Sequence, residues 1–158
     1  MPCSVVRDVI DLEGLRLRSQ DPQAGAVIIF YGDVRNHSQQ QQVSFLEYEA
    51  HESMALKQIT RVVEEAQQKW ELHTVEVIHR LGKLAVKECS IAIAVSSSHR
   101  GEAYAASRYI IDTIKHAVPI WKKEHFVDGA SEWSKGCEAC SVVEETAVPP
   151  AVVENEDL

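Results

Sequence analysis

The chain has 158 residues, a length typical of one domain with a single hydrophobic core. Apolar residues make up 45% and charged residues 25%, which is close to the globular average and excludes a wholly disordered chain. The net charge is −8, but seven of the 24 acidic residues lie in residues 132–158, so the rest of the chain is nearly neutral and lacks the basic face of a nucleic-acid-binding protein.

Membrane and secretory signals are not found in the sequence. No apolar run approaches the roughly 20 residues that a membrane-spanning helix needs, and residues 1–8 lack the features of a signal peptide. The four cysteines are too few for a disulfide scaffold. Cys137 and Cys140 form a lone pair with too few partners nearby for a four-ligand zinc site. We therefore expect a cytoplasmic protein with no metal, no membrane contact and no nucleic-acid partner.

Six segments have the composition of β-strands. Residues 25–31 and 89–95 are short apolar runs typical of buried strands, and 43–48 and 74–78 are rich in β-branched or aromatic residues. Weaker strand patterns lie at 4–10 and 120–126. The four glutamines at 39–42 indicate a polar loop tip between two strands.

Two further segments have the apolar period of an amphipathic helix. Pro119 should end the second helix near Ala117, and one of the serines at 96–98 should cap its start. The order of strands and helices indicates an α+β fold with a mixed or antiparallel sheet and two main helices. We place the domain at residues 1–133 and an acidic, disordered tail at 134–158. The apolar stripes of the two helices are Leu56, Ile59, Val63, Ala66 and Trp70, and then Tyr104, Ser107, Ile111, Ile114 and Val118, widened by Ala103, Ala106 and Ile110.

Cationic side chains gather at the ends of the predicted elements. His99 and Arg100 start the second helix, where free backbone N–H groups favour an anion, and Lys115 lies in its last turn. Lys122 follows the Pro119 break. This pattern is compatible with a pocket for a small phosphorylated ligand. It is equally compatible with simple roles, because a lysine at a helix C-terminus stabilises the helix dipole by about 0.3–1 kcal/mol without any ligand.

Several motifs together resemble the large, catalytic subunit of molybdopterin synthase over residues 4–133. They are GAVIIFYGDVRNHS, LEYEAHESMA, VIHRLGKLAVKE, SSHRGEAYAASRYIIDTIKHAVPIWKKE and DGASEW. The resemblance implies an α/β hammerhead-type fold and a homodimer that binds two small ubiquitin-like subunits as a heterotetramer. It also implies that the Gly-Gly C-terminus of the small subunit carries a thiocarboxylate. Two sulfurs are then transferred to cyclic pyranopterin monophosphate, which gives the dithiolene of molybdopterin without a further cofactor.

The family's functional residues can be carried over position by position. Its active-site lysines match Lys115 and Lys122, and its anion-binding arginine matches Arg35 after the Asp33-Val34 turn. The resemblance implies that His99 and Arg100 reach the pocket of the neighbouring protomer. It also implies that Lys123 and Glu124 line the same pocket as Lys122, and that Phe30 lies beside it.

This chain departs from the family's sequence pattern at two positions. Lys87 stands where the family commonly has glycine, and Lys135 is the single basic residue after Trp133.

Two alternative functions are also compatible with the sequence. Lys115 is compatible with an enzyme that forms a Schiff base with a carbonyl substrate. The other alternative is a binding module for phosphorylated ligands that has lost its activity.

Overall fold

The structure, a computed structural model, describes residues 2–135. These residues form three helices: α1 (Leu12–Arg18), α2 (Glu52–Lys69) and α3 (Arg100–Ala117). They also form nine strands: β1 (Cys3–Val6), β2 (Ala26–Asp33), β3 (His37–Ser38), β4 (Gln41–Glu49), β5 (Thr74–Arg80), β6 (Gly82–Ala85), β7 (Cys89–Ser97), β8 (Trp121–Phe126) and β9 (Ser131–Lys135).

The first sheet has four strands in the order β1-β5-β7-β2. β1 is parallel to β5, and the other two pairs are antiparallel. The two long helices cover one face, where Ile59, Ile93 and Ile110 are fully buried, and α1 covers the other face through Leu15. A mixed sheet with two main helices confirms the predicted α+β class.

The second sheet is antiparallel and contains the order β3-β4-β8-β9, with β6 also paired to β4. Its small core is built from Val43, Leu46, Leu84 and Phe126 among others. Because β8 follows α3 after only a short turn, this sheet holds the segment after Pro119 against the C-terminal end of that helix.

The second long helix differs from the prediction at its start but not at its end. It ends at Ala117, as Pro119 predicts. The serine cap is wrong, since Ser96 and Ser97 belong to β7 and the N-cap is His99, which makes no side-chain capping bond. The buried face is centred one residue away from the predicted stripe. Tyr104 is therefore 60% exposed, while Ala103 and Ala106 are fully buried.

Short elements were the hardest to predict. The strand expected at 4–10 ends at Val6, and α1, β3, β6 and β9 had no counterpart in the prediction. The turn between β3 and β4 lies at Gln39 and Gln40, within the predicted polar loop. β9 continues to Lys135, two residues past the predicted domain boundary. The rest of the predicted tail, with Cys137 and Cys140, lies outside the described residues.

Candidate active site

A pocket lies where the C-terminal end of α3 meets the second sheet. Two lysines enter it from opposite sides of the Pro119 turn, Lys115 from the helix and Lys122 from β8. The structure thus brings together the two residues that the sequence analysis assigned to catalysis. The pocket is lined by Tyr48, His79, Ile114, Lys115, Val118, Ile120 and Lys122.

Lys115 lies in the last turn of α3 and is half-buried. The helix stops here because Pro119 disfavours a helical Val118, whose N–H makes the last bond back to the Ile114 carbonyl at 3.1 Å. The Lys115 Nζ lies 5.7 Å from the centroid of the Tyr48 ring, within the range of a cation–π contact. The aromatic ring therefore holds the ammonium group at the pocket wall.

Lys122 forms an ion pair with Glu124, the next residue but one on the same strand. The Nζ–Oε1 distance is 3.1 Å, and the two side chains are only 20% and 11% exposed. Alternate residues of a strand point to the same face, so both side chains point toward the pocket side of the sheet. The carboxylate directs the lysine and balances one of the two positive charges.

Lys123 lies on the opposite face of β8. Its Nζ is 5.4 Å from the centroid of the Trp133 ring on β9, and Trp133 is its direct partner in the strand pairing. The structure therefore does not bring Lys123 into the pocket of Lys122. The alternation of side chains along a strand is the signal that would have separated these two lysines.

His79 lines the pocket, although the sequence analysis assigned it no role. It is the last residue but one of β5, is 1% exposed and packs edge-to-face on Tyr48, with ring centroids 5.4 Å apart. Its Nδ1 lies 3.0 Å from the Arg80 carbonyl oxygen. Burial, and then the nearby charge of Lys115, lowers the pKa of His79 to about 3, so the ring is neutral at physiological pH.

Arg35 lies on an exposed turn after β2 and does not line the pocket in one protomer. The turn itself is fixed at Val34, which is buried and bonded through its N–H to the Glu88 carbonyl at 3.0 Å. The Val34 carbonyl accepts from the Lys87 N–H at 2.8 Å. Asp33 ends β2 and is exposed.

Comparisons with known proteins place this architecture in a family. The family described as MoaE protein matches residues 5–117. The chain belongs to the MoaE family. A relative named molybdopterin synthase catalytic subunit, from Nostoc sp., is 42% identical over 125 residues, which cover 78% of this chain and 76% of the relative.

Solved structures agree with this assignment. The crystal structure of molybdopterin synthase from Staphylococcus aureus matches with a TM-score of 0.78 and 38% identity, covering 83% of this chain and 95% of that chain. A chain from a complex of subunits 1 and 2 of the Helicobacter pylori molybdopterin-converting factor has a TM-score of 0.69. It is 18% identical and covers 87% of this chain and 92% of that chain, so it supports the fold alone.

Three residues that the resemblance to the MoaE family assigned to substrate binding do not line the pocket within one protomer. His99 and Arg100 are exposed at the N-terminus of α3, and the helix rise puts Arg100 about 22 Å from Lys115. Phe30 packs against the core between the first sheet and the long helices. The expected contribution of His99 and Arg100 to a neighbouring protomer's pocket stays a prediction.

Residues 2–135 contain neither a cluster of metal ligands nor a membrane-spanning helix. No three His, Cys, Asp or Glu side chains in this range lie close enough together to hold a metal ion. No helix in the same range is long and apolar enough to cross a membrane.

Proposed function

We propose that this chain is the catalytic subunit of a molybdopterin synthase, with Lys115 as its main catalytic group. The observation that carries the proposal is the convergence of Lys115 and Lys122 in one pocket. The relatives' names support the overall activity, and the motif match supports the role of each lysine.

The chemistry that we propose is sulfur transfer from a thiocarboxylate to cyclic pyranopterin monophosphate. In each transfer the donor's acyl carbon–sulfur bond and one carbon–oxygen bond of the pterin side chain break, and a carbon–sulfur bond forms at that side-chain carbon. The displaced oxygen either becomes the new oxygen of the donor's carboxylate or leaves on the phosphate or as water, in which case water supplies the carboxylate oxygen. Both reactants are anions, so cations in a partly desolvated pocket stabilise them more strongly than they would in water.

The two lysines have different roles in this scheme. Lys115 rests on the Tyr48 ring and forms no ion pair with a carboxylate within residues 2–135, so its ammonium group can donate a hydrogen bond to the charge that develops at the reacting carbon. Lys122, which Glu124 directs, orients the thiocarboxylate and stabilises its charge. Arg35, with its forked donors, is proposed to bind the phosphate of the substrate.

We also propose the assembly that the resemblance implied. A small ubiquitin-like subunit with a Gly-Gly C-terminus would deliver the sulfur, and two copies of this chain would form the centre of a heterotetramer. The exposed position of His99 and Arg100, remote from their own protomer's pocket, suits a contribution to the neighbouring site.

A reconstituted assay tests the proposal. The purified chain would be mixed with thiocarboxylated small subunit and cyclic pyranopterin monophosphate, and molybdopterin measured as its fluorescent oxidised derivative. Lys115→Ala should abolish product formation and leave the fold intact. Lys69→Ala is the matched control, because Lys69 also lies in the last turn of a helix with its Nζ 5.3 Å from an aromatic ring centroid.

Each other outcome has a clear meaning. Normal turnover by Lys115→Ala would contradict the catalytic assignment. A wild-type chain that binds the small subunit but makes no product would favour a binding module. Borohydride trapping of a carbonyl compound on Lys115 without the small subunit would favour a Schiff-base enzyme.

A further inference from the structure

His79 is a fully buried polar side chain that reaches the pocket but has no part in the scheme above. A histidine in such a position needs a hydrogen-bond partner and a reason to be preferred over an apolar residue. The Arg80 carbonyl supplies the hydrogen-bond partner, and the ring contact with Tyr48 supplies the reason.

The first contact fixes the chemical form of the ring. A carbonyl oxygen can only accept, so at 3.0 Å from the Arg80 oxygen the Nδ1 of His79 must be the donor. The neutral ring therefore carries its hydrogen on Nδ1. Because it is neutral, it adds no third positive charge beside Lys115 and Lys122, which both line the same pocket.

The second contact links the ring to the catalytic lysine. The edge-to-face packing of His79 on Tyr48 has an interplanar angle of 73°. Tyr48 in turn lies 5.7 Å from the Lys115 Nζ. Tyr48 is almost fully buried, so the position of its ring depends on the side chains packed against it.

We propose that His79 is a positioning residue for Lys115, which acts by holding the Tyr48 ring against which the ammonium group rests. The hydrogen bond to Arg80 anchors the imidazole, and the ring contact transmits that anchoring to Tyr48. The effect on turnover rests on the proposed function, whereas the effect on the placement of Lys115 does not.

Two variants separate the contacts. His79→Asn keeps a neutral donor for the Arg80 carbonyl but removes the ring, so Tyr48 loses its support. Turnover should fall about 10- to 100-fold with little change in KM, because the substrate still binds but the lysine is misplaced. His79→Phe keeps a ring against Tyr48 and removes the donor, so it should melt at a lower temperature and yet keep turnover within about threefold.

A spectroscopic measurement tests the placement without any assay of activity. The ε-methylene protons of Lys115 should have NMR shifts displaced by the Tyr48 ring current, and Tyr48→Leu would identify those signals by abolishing the displacement. His79→Asn should also abolish it, and His79→Phe should keep it. Lys69, which lies over the Tyr109 ring, is the internal control whose signals should stay unchanged.

The results distinguish positioning from a purely structural role. The proposal is overturned if His79→Asn keeps both the wild-type turnover and the ring-current shifts of Lys115. It is also overturned if turnover and these shifts decrease in proportion to the melting temperature in both variants. If His79→Asn does not fold, His79→Phe decides, since loss of the Lys115 shifts there would contradict support by the ring. A wild-type chain that is inactive with the thiocarboxylated donor would reject the proposed function, and the NMR comparison would still test the placement of Lys115.

Discussion

Tyr48 and Lys122 are direct partners in the antiparallel pairing of β4 with β8. The same tyrosine lies beneath the ammonium group of Lys115 at the end of α3. Tyr48 is thus a neighbour of both lysines, although one lysine comes from a helix and the other from a strand beyond a proline turn. The register of β4 and β8 is therefore what sets the lysines around a common pocket.

The Lys122–Glu124 pair should affect stability and activity in different ways. Lys122→Met leaves the Glu124 carboxylate poorly solvated and unpaired, so we expect a loss of about 1–3 kcal/mol in the free energy of unfolding together with a severe loss of turnover. The double variant Lys122→Met/Glu124→Gln removes the unpaired charge and should regain most of the stability without regaining activity. Urea unfolding and the reconstituted assay measure the two effects.

The opposite pattern would change the role assigned to Lys122. If the double variant regained turnover along with stability, the lysine would serve only to neutralise Glu124. Lys123→Met is the matched control, since Lys123 lies on the other face of β8, over the Trp133 ring, while the ion pair of Glu124 is with Lys122.

The buried His79 should make the protein sensitive to acid. The folded pKa is about 3, below the roughly 6.5 of an unfolded histidine, because burial and the Lys115 charge disfavour the imidazolium. Above pH 6.5 the ring is neutral in both states and this contribution is fully present. As the pH falls toward 3, the unfolded chain gains a proton that the folded chain does not, so stability decreases by up to about 1.4 kcal/mol per pH unit.

Denaturant unfolding of the wild type and His79→Phe between pH 7.5 and 4.5 measures this contribution. The variant should be less stable at pH 7.5 but lose stability less steeply, and other titrating groups cancel in the comparison. The titratable groups that face His79 from the neighbouring elements are Lys115, Lys122 and Tyr48. Parallel slopes for the wild type and His79→Phe would refute a neutral buried His79.

The sequence predicted the features that depend on local physics. The end of α3 follows from Pro119, and the two long helices follow from their apolar periods. The seven-residue α1 was missed because Gly14 weakens the helical pattern, although Asp11 caps it by accepting from the Gly14 N–H. The pairing of Tyr48 with Lys122 depends on strand register between distant segments, which no local pattern specifies.

The turn at Lys87 stores strain that a single substitution should relieve. Lys87 has a φ of 77°, in the left-handed region that glycine adopts without a steric penalty. Its N–H donates to the Val34 carbonyl at the base of the Arg35 turn. Lys87→Gly should raise the free energy of unfolding by up to about 1 kcal/mol, because relief of strain exceeds the added entropy of the unfolded chain.

Lys87→Ala is the control for the loss of the side chain's charge and length. It keeps a Cβ in the strained conformation, so its stability should stay near that of the wild type. Equal stabilisation by alanine and glycine would show that the side chain, not the backbone, is the source of strain. Turnover should be unaffected by either change, since Lys87 does not line the pocket.

Mixing two inactive variants tests whether each site is shared between protomers. Arg100 and Lys115 lie at opposite ends of α3, about 22 Å apart along the helix, and Arg100 does not line the pocket of its own chain. If Arg100 serves the neighbouring pocket, a dimer of Lys115→Ala with Arg100→Ala contains one site with both residues intact and one with neither. Random pairing then restores about a quarter of the wild-type activity from two variants that are each inactive.

Co-expression of the two variants with different affinity tags would give the mixed dimers, and the reconstituted assay would measure their turnover. Mixed dimers purified through both tags should reach about half of the wild-type activity, because every such dimer has one intact site of two. The double variant Lys115→Ala/Arg100→Ala paired with wild type is the decisive control. Its dimers have no site with both residues when the site is shared, but one intact site when each protomer works alone, so activity in that control would reject a shared site.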